Sequence, residues 1–393
     1  MKTIIYIVLV LFLMAQPAFA ADSQLLVTTD KALNDKWYKV RGEDGPALFT
    51  NSKAFTDQEV SVGILYANPG VDANGRAKIL FDLKIVYPDG NSSGNPNIRV
   101  VDAKLSNTKV IRLGEELARI SFHDPGRYAI QATVKDIISG KTEKLESTID
   151  IAALSNTKYF QDNISFKTWL NNYYQRKPVE KIIDGIIYFS HSDKQLREKN
   201  FFQIAAFFGK VLDDNQYMVP YLLDLYPQQD SDTKFIIMCF LPYINYDLSQ
   251  FIGKLSEPER TFYFQWEKER LPYPVTGIDY AKKMTIPESI KMAYLMDMLW
   301  GNFFASGEYE PVRRLVDCLE LGKFKGGLEK YKQTKAKDDE ENAARDMAYQ
   351  AARWSIKSNV MNHQLVRNYC DFIYENEQLS PIVRQELKEI LGR

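Results

Sequence analysis

The sequence predicts a multidomain chain in which an all-β sandwich precedes an all-α, helical-repeat (α-solenoid-like) domain. Three observations predict it. From Val60 to Ile151 apolar residues recur with a period of two, the rhythm of strands that bury one face and wet the other. After Ala153 the period changes to 3.6 and strand signals almost vanish. Ahead of both, residues 1–20 have the grammar of an export leader. The expected organisation is therefore a signal peptide at 1–20, a β-sandwich domain at 21–153 and an α-helical repeat-like domain at 154–393.

The leader opens on Lys2 and continues as an apolar run from Ile4 to Met14, with Tyr6 its semi-polar member. Gln16-Pro17 breaks the run, and Ala18-Phe19-Ala20 places small residues where a signal peptidase reads them, so cleavage is expected between Ala20 and Ala21. The run is too short to span a hydrocarbon core of ~30 Å, and no later stretch reaches the ~18 apolar residues that would. No cysteine near the cleavage site supplies a lipid anchor. These features predict a periplasmic or secreted bacterial protein with no integral membrane segment in its mature chain. Cleavage leaves 373 residues, above the usual ceiling for one hydrophobic core. It takes only Lys2 from 50 basic side chains and none from 51 acidic ones, leaving a net charge of −2. That balance, without a basic stripe or polybasic tail, argues against nucleic acid as a partner.

Strand by strand, Val60, Val62, Ile64 and Tyr66 alternate with Ser61, Gly63 and Leu65; Ile79, Phe81, Leu83, Ile85 and Tyr87 oppose Lys78, Asp82 and Lys84. Tyr128, Ile130, Ala132 and Val134 alternate with Arg127, Gln131, Thr133 and Lys135, and Leu145, Ile149 and Ile151 repeat the pattern. Between them fall Asn68-Pro69-Gly70, Asn74-Gly75, Pro88-Asp89-Gly90-Asn91 and Ser139-Gly140, residues that supply the φ > 0 turns hairpins need. Seven or so short strands over about 130 residues read as a sandwich.

Asp124-Pro125-Gly126-Arg127-Tyr128 opens the penultimate strand run, and its D-x-G-x-Y pattern resembles the tyrosine corner of immunoglobulin-like domains. The resemblance implies that the Tyr128 hydroxyl bonds back to the backbone, with Asp124 and Gly126 shaping the corner. Ile130 stands where the antibody branch has a cysteine, so the likeness is to disulfide-free bacterial sandwiches. It implies a fold and no activity.

Beyond Ala153, Val179, Ile182, Ile183, Ile186 and Ile187 form one apolar helix face behind Pro178, and Phe201, Phe202, Ile204, Ala205, Phe208 and Leu212 the next. Helical segments follow near 217–226, 233–243, 257–270, 287–305, 309–321, 339–358, 361–376 and 380–391. Short breaks at Ser306-Gly307-Glu308 and Lys357-Ser358-Asn359 predict antiparallel αα-hairpins. Stacked pairs of this kind favour an irregular solenoid over a four-helix bundle. The stretch from Met296 to Gly307, with Ala352 to Asn359 downstream, resembles a signature of uncharacterised exported bacterial proteins, which supports export and implies no chemistry.

Catalytic grammar is sparse. Gly140-Lys141-Thr142 resembles the end of a Walker A loop, but Lys135 stands at its first glycine and the tripeptide joins two strands, so it reads as a turn. Asp72-Ala73-Asn74-Gly75 begins like a calcium loop, yet Arg76 occupies the next ligand position. His123, His191 and His363 lie in separate segments without metal-ligand spacing, so neither metal nor cofactor is expected. Cys239, Cys318 and Cys370 read as buried small hydrophobes, with a Cys318–Cys370 bridge as the alternative. Glu257, Glu259, Glu267 and Glu269 surround Phe262, Tyr263, Phe264 and Trp266, either a glycosidase-like cleft or a solvated helix face shared with Lys268 and Arg270. An exposed row of Tyr, Trp and Arg is hot-spot chemistry, and Tyr309, Arg313 and Arg314, with Trp354 and Lys357, are the candidate surface. The expected function is non-catalytic binding or scaffolding in the bacterial cell envelope, with the helical domain holding a protein or peptide partner. A carboxylate-dependent glycan hydrolase is the alternative.

Overall fold

In a computed structural model of the chain, residues 23–39, 50–104, 110–155, 157–272 and 284–393 are described. The leader expected at 1–20 and its expected cleavage site between Ala20 and Ala21 lie outside them. An N-terminal β-sheet region is followed by an all-helical one. The strands are β1 (Ser23–Thr28), β2 (Lys53–Phe55), β3 (Glu59–Ala67), β4 (Arg76–Val86), β5 (Ser92–Lys104), β6 (Val110–Ser121), β7 (Gly126–Asp136) and β8 (Thr142–Ala152). They form two sheets, ordered β1-β3-β6 and β2-β8-β7-β4-β5. Every pairing is antiparallel except that of β2 with β8.

The period of two does what the sequence leads one to expect. Val60, Val62, Ile64 and Tyr66 from one sheet and Ile79, Phe81, Leu83, Ile130, Val134 and Ile149 from the other are buried in one continuous core. Each such side chain contributes ~1.5–3 kcal/mol by leaving water. Tyr87 departs from the pattern, because β4 ends at Val86 and the ring sits half-exposed in the following turn, edge-on to Tyr128 at 5.8 Å. The turn readings hold for two loops. Asp72 accepts the N–H groups of Asn74 (2.8 Å) and Arg76 (3.0 Å), and Gly140 takes φ +76° between β7 and β8.

β5 carries no readable alternation, since Gly94 and Pro96 interrupt it. Its register against β4 skips between the pairs Phe81↔Arg99 and Leu83↔Asn95. Pro96, which has no N–H to donate, falls in that unpaired stretch.

The helical region contains α2 (Asn163–Arg176), α3 (Ile182–His191), α4 (Lys194–Asp214), α5 (Met218–Leu225), α6 (Ser231–Phe240), α7 (Ser249–Lys254), α8 (Glu257–Glu269) and α9 (Ile286–Ser306). α10 (Tyr309–Asp317), α11 (Gly327–Thr334), α12 (Lys337–Asn362), α13 (Gln364–Asn376) and α14 (Pro381–Leu391) complete it. Their starts are set locally. Asp162, Asp193 and Asp230 accept N–H groups three residues on, and Thr285 with Glu288 forms a capping box on α9. Gly307 ends α9 in the left-handed conformation at φ +71°.

The turn expected at Lys357-Ser358-Asn359 is a correction: α12 continues through it to Asn362 and the chain breaks at His363. No glycine or proline interrupts that polar stretch, so a wet helix face resembled a loop. Aromatic side chains fill the interior, with Trp169 against Phe207 at 5.4 Å and Phe208 against Phe240 at 5.1 Å. α4 and α9 approach so closely that a Cβ on Gly301 would collide with the Gln203 carbonyl oxygen.

One segment is not where the rhythm alone places it. The chain from Asp30, within the range read as β, groups with the helical unit, and it carries the short helix α1 (Leu33–Lys39). Asp30 pairs there with Lys36 and, at 2.7 Å, with Lys177, while Asp35 accepts the Tyr309 N–H at 3.0 Å. Among the described residues no helix is long and apolar enough to cross a membrane.

Candidate functional site

The α10 half of the expected partner surface turns inward. Tyr309 is 5% exposed, with its hydroxyl on Glu377 and its ring edge-on to Tyr369 (5.4 Å) and Phe372 (5.9 Å). Burial, then Glu377, pushes that phenol far above its ordinary range. Arg313 is held by Asp317 and the same Glu377. This is a correction to the surface inferred from sequence: the two side chains lock α10 to the chain after α13 and are not presented to a partner. Glu377 lies more than sixty residues downstream, so no local pattern announces the contact.

The α12 half does face water. Trp354 is 74% exposed, Lys357 is exposed, and Met361, one heptad beyond Trp354, is 70% exposed. Neighbouring Arg353 is engaged with Glu386 (2.7 Å) and Glu389 (3.1 Å), which fixes α12 against α14 and holds the Trp354 side outward. Met361 is the member that composition-based reading missed; its spacing from Trp354 was available in the sequence once α12 was known to continue.

Arg314 separates from both groups. It donates to Glu310 at 2.9 Å and lines a cleft of about 580 Å3 among α4, the turn after α6, the end of α8, α9 and α10. Lys210, Tyr243 and Arg270 line the same cleft. Lys210 reaches Asp214 (3.1 Å) and Glu308 (3.0 Å); burial opposes its charge, but those two carboxylates outweigh it and raise its pKa. Arg270, read as part of a solvated face, lies with its guanidinium 5.1 Å from the Tyr243 ring and its Nε buried.

A second cleft of about 980 Å3 opens among α5, α6, α7 and α8 and holds Asp224, Asp247 and Glu259. Glycan hydrolysis needs a carboxyl that stays protonated to act as general acid. Here hydrogen bonds from Ser256 hold Glu259 below its usual range, and those from Ser249 do the same to Asp247. Glu259 serves the α8 capping box and accepts the Tyr226 hydroxyl at 3.0 Å. Of its aromatic neighbours, Tyr263 is core and Trp266 donates to the Cys239 carbonyl at 3.0 Å. Burial alone pushes Asp297 up to about 6, but it lines neither cleft.

Cys239, Cys318 and Cys370 are buried and none of them is in a disulfide, so the Cys318–Cys370 bridge is not formed; burial pushes the Cys239 and Cys370 thiols up to about 12, where a nucleophilic thiolate is scarce. His123 pairs with Asp57 at 2.5 Å, His191 with Asp230 at 2.8 Å, and buried His363 with the Tyr174 hydroxyl at 3.3 Å. Among the described residues no cluster of His, Cys, Asp and Glu could hold a metal ion. No family model and no curated protein matches the sequence.

Proposed function

We propose that this is an exported, non-catalytic binding or scaffold protein of the bacterial cell envelope, whose helical region holds a protein partner on the outer face of α12. The observation that carries the reading is the exposure of Trp354 with Met361 one heptad along. A large aromatic left in water costs hydrophobic stabilisation, and tryptophan is among the residues most enriched in interface hot spots. Lys357 supplies a cation at i+3, on the same side of the helix. The hydrogen bonds that hold Glu259 and Asp247 ionised weigh against hydrolysis in the larger cleft.

The finer fold belongs to the same proposal. An immunoglobulin-like sandwich is supported by the core common to both sheets and by the Tyr128 hydroxyl, which donates to the Asp124 carbonyl at 2.9 Å. Gly126 suits such a corner: its φ is +150°, and a Cβ there would lie 2.5 Å from Pro88 Cγ. Short links such as Gly307 between α9 and α10 support an irregular array of helical pairs.

Two experiments test the reading. Cell fractionation with N-terminal sequencing should recover the protein outside the cytoplasm, beginning at Ala21. The purified mature protein should leave a panel of cell-wall and polysaccharide substrates intact; hydrolysis lost on Glu259→Gln would replace binding with catalysis.

A further inference from the structure

We propose that the 580 Å3 cleft at the end of α8 is a binding site for a peptide carboxylate, anchored by Arg270, and that it is separate from the α12 face. An arginine offers five donors in a planar fork. Arg270 Nε is buried with no acceptor among the described residues, and its Nη1 reaches only the neighbouring Leu271 carbonyl at a long 3.4 Å. Folded proteins satisfy nearly all such buried donors, so an unfilled one calls for a cause. The negative end of α8 explains a cation at this position, since Arg270 caps that helix, but it does not fill the Nε donor.

The other cations of the cleft are engaged: Lys210 by Asp214 and Glu308, Arg314 by Glu310. Among the described residues, the charge left over for a ligand is that of Arg270. Its plane is steadied by the Tyr243 ring, so the fork is preorganised rather than recruited on binding. The volume lies in the range of small-ligand sites, and Pro242, Ile244, Leu299 and Pro311 give apolar walls for a side chain or two. Asp213, Glu308 and Glu310 also stand in the lining. They would repel a phosphate dianion far more than a single carboxylate, whose two oxygens match the guanidinium fork.

The test uses the mature full-length protein and three fluorescein-labelled pools of random hexapeptides otherwise free of Asp and Glu. One pool ends in a free carboxylate, one in an amide, and one in an amide with a single internal Asp. Fluorescence anisotropy should show one or both carboxylate pools binding at least about tenfold tighter than the plain amide. Preference between those two says whether the carboxylate is a chain end or a side chain. Arg270→Gln should erase the discrimination, and Arg270→Lys, which keeps charge but loses the fork, should retain only part of it. Equal binding of all pools, no binding of either carboxylate pool, or discrimination unchanged in Arg270→Gln would overturn the proposal. None of these outcomes bears on the α12 face, none of whose residues lines the cleft.

Discussion

Asp30 and Asp297 are carboxyls driven in opposite directions by their surroundings, and each carries a pH signature. Burial works against ionisation of Asp30, but Lys177 and Lys36 outweigh it and hold the group at about 2. Its folded value lies below the unfolded ~3.9, so its stabilisation is present above pH ~4 and fades as pH falls toward 2. Asp30→Asn should flatten that acid limb of a Tm-against-pH curve. It should also cost about 3 kcal/mol at neutral pH, because Lys36 and Lys177 are left without their counter-charge. Asp297 behaves the other way. Burial raises it to about 6, so the folded state loses ground as pH rises from ~4 through 6. Asp297→Asn should therefore gain on the parent protein across that interval, and a constant difference in Tm from pH 4 to 7 would contradict the assignment.

At the scale of elements, much was legible and for definite reasons. The strands around Val62, Phe81, Ile130 and Ile149 alternate because one face of each meets a common core. The caps at Asp162, Asp193, Asp230 and Thr285 are local chemistry, settled within three residues, yet α2 was not among the expected helices, the first of which began at Val179. β5 escaped because Pro96 and Gly94 read as a loop, while a register skip lets a strand keep them. Gly301 shows the same limit in a helix. As sequence it is a mild flaw in α9; in the fold it is the residue that lets α4 approach. Gly301→Ala would raise helix propensity yet should destabilise by about 1–3 kcal/mol, through overpacking against the Gln203 carbonyl. Chemical denaturation checks the sign: a stabilised variant would mean that the two helices are free to separate.

For the whole molecule, the change of hydrophobic rhythm near residue 155 marks the passage from sheets to helices, because strands and helices bury apolar residues at different periods. What no rhythm could disclose is the excursion at Asp30. The ion pair that joins it to Lys177 spans nearly 150 residues, and α1 by itself looks like an ordinary link between strands. The candidate site divides the same way. Trp354, expected at the surface as part of a Tyr, Trp and Arg row, is exposed, whereas Tyr309 and Arg313 of the same row are claimed by Glu377, a partner visible only in three dimensions. Because Trp354 is 74% exposed, Trp354→Ala should change folding stability by no more than about 0.5 kcal/mol. The variant thus separates binding from folding. The most direct measurement is photo-crosslinking from position 357 in the native envelope, with and without Trp354→Ala. One dominant adduct that disappears in the variant, at unchanged protein level and Tm, is the predicted result; no dominant adduct, or one indifferent to Trp354, would contradict a partner held on α12.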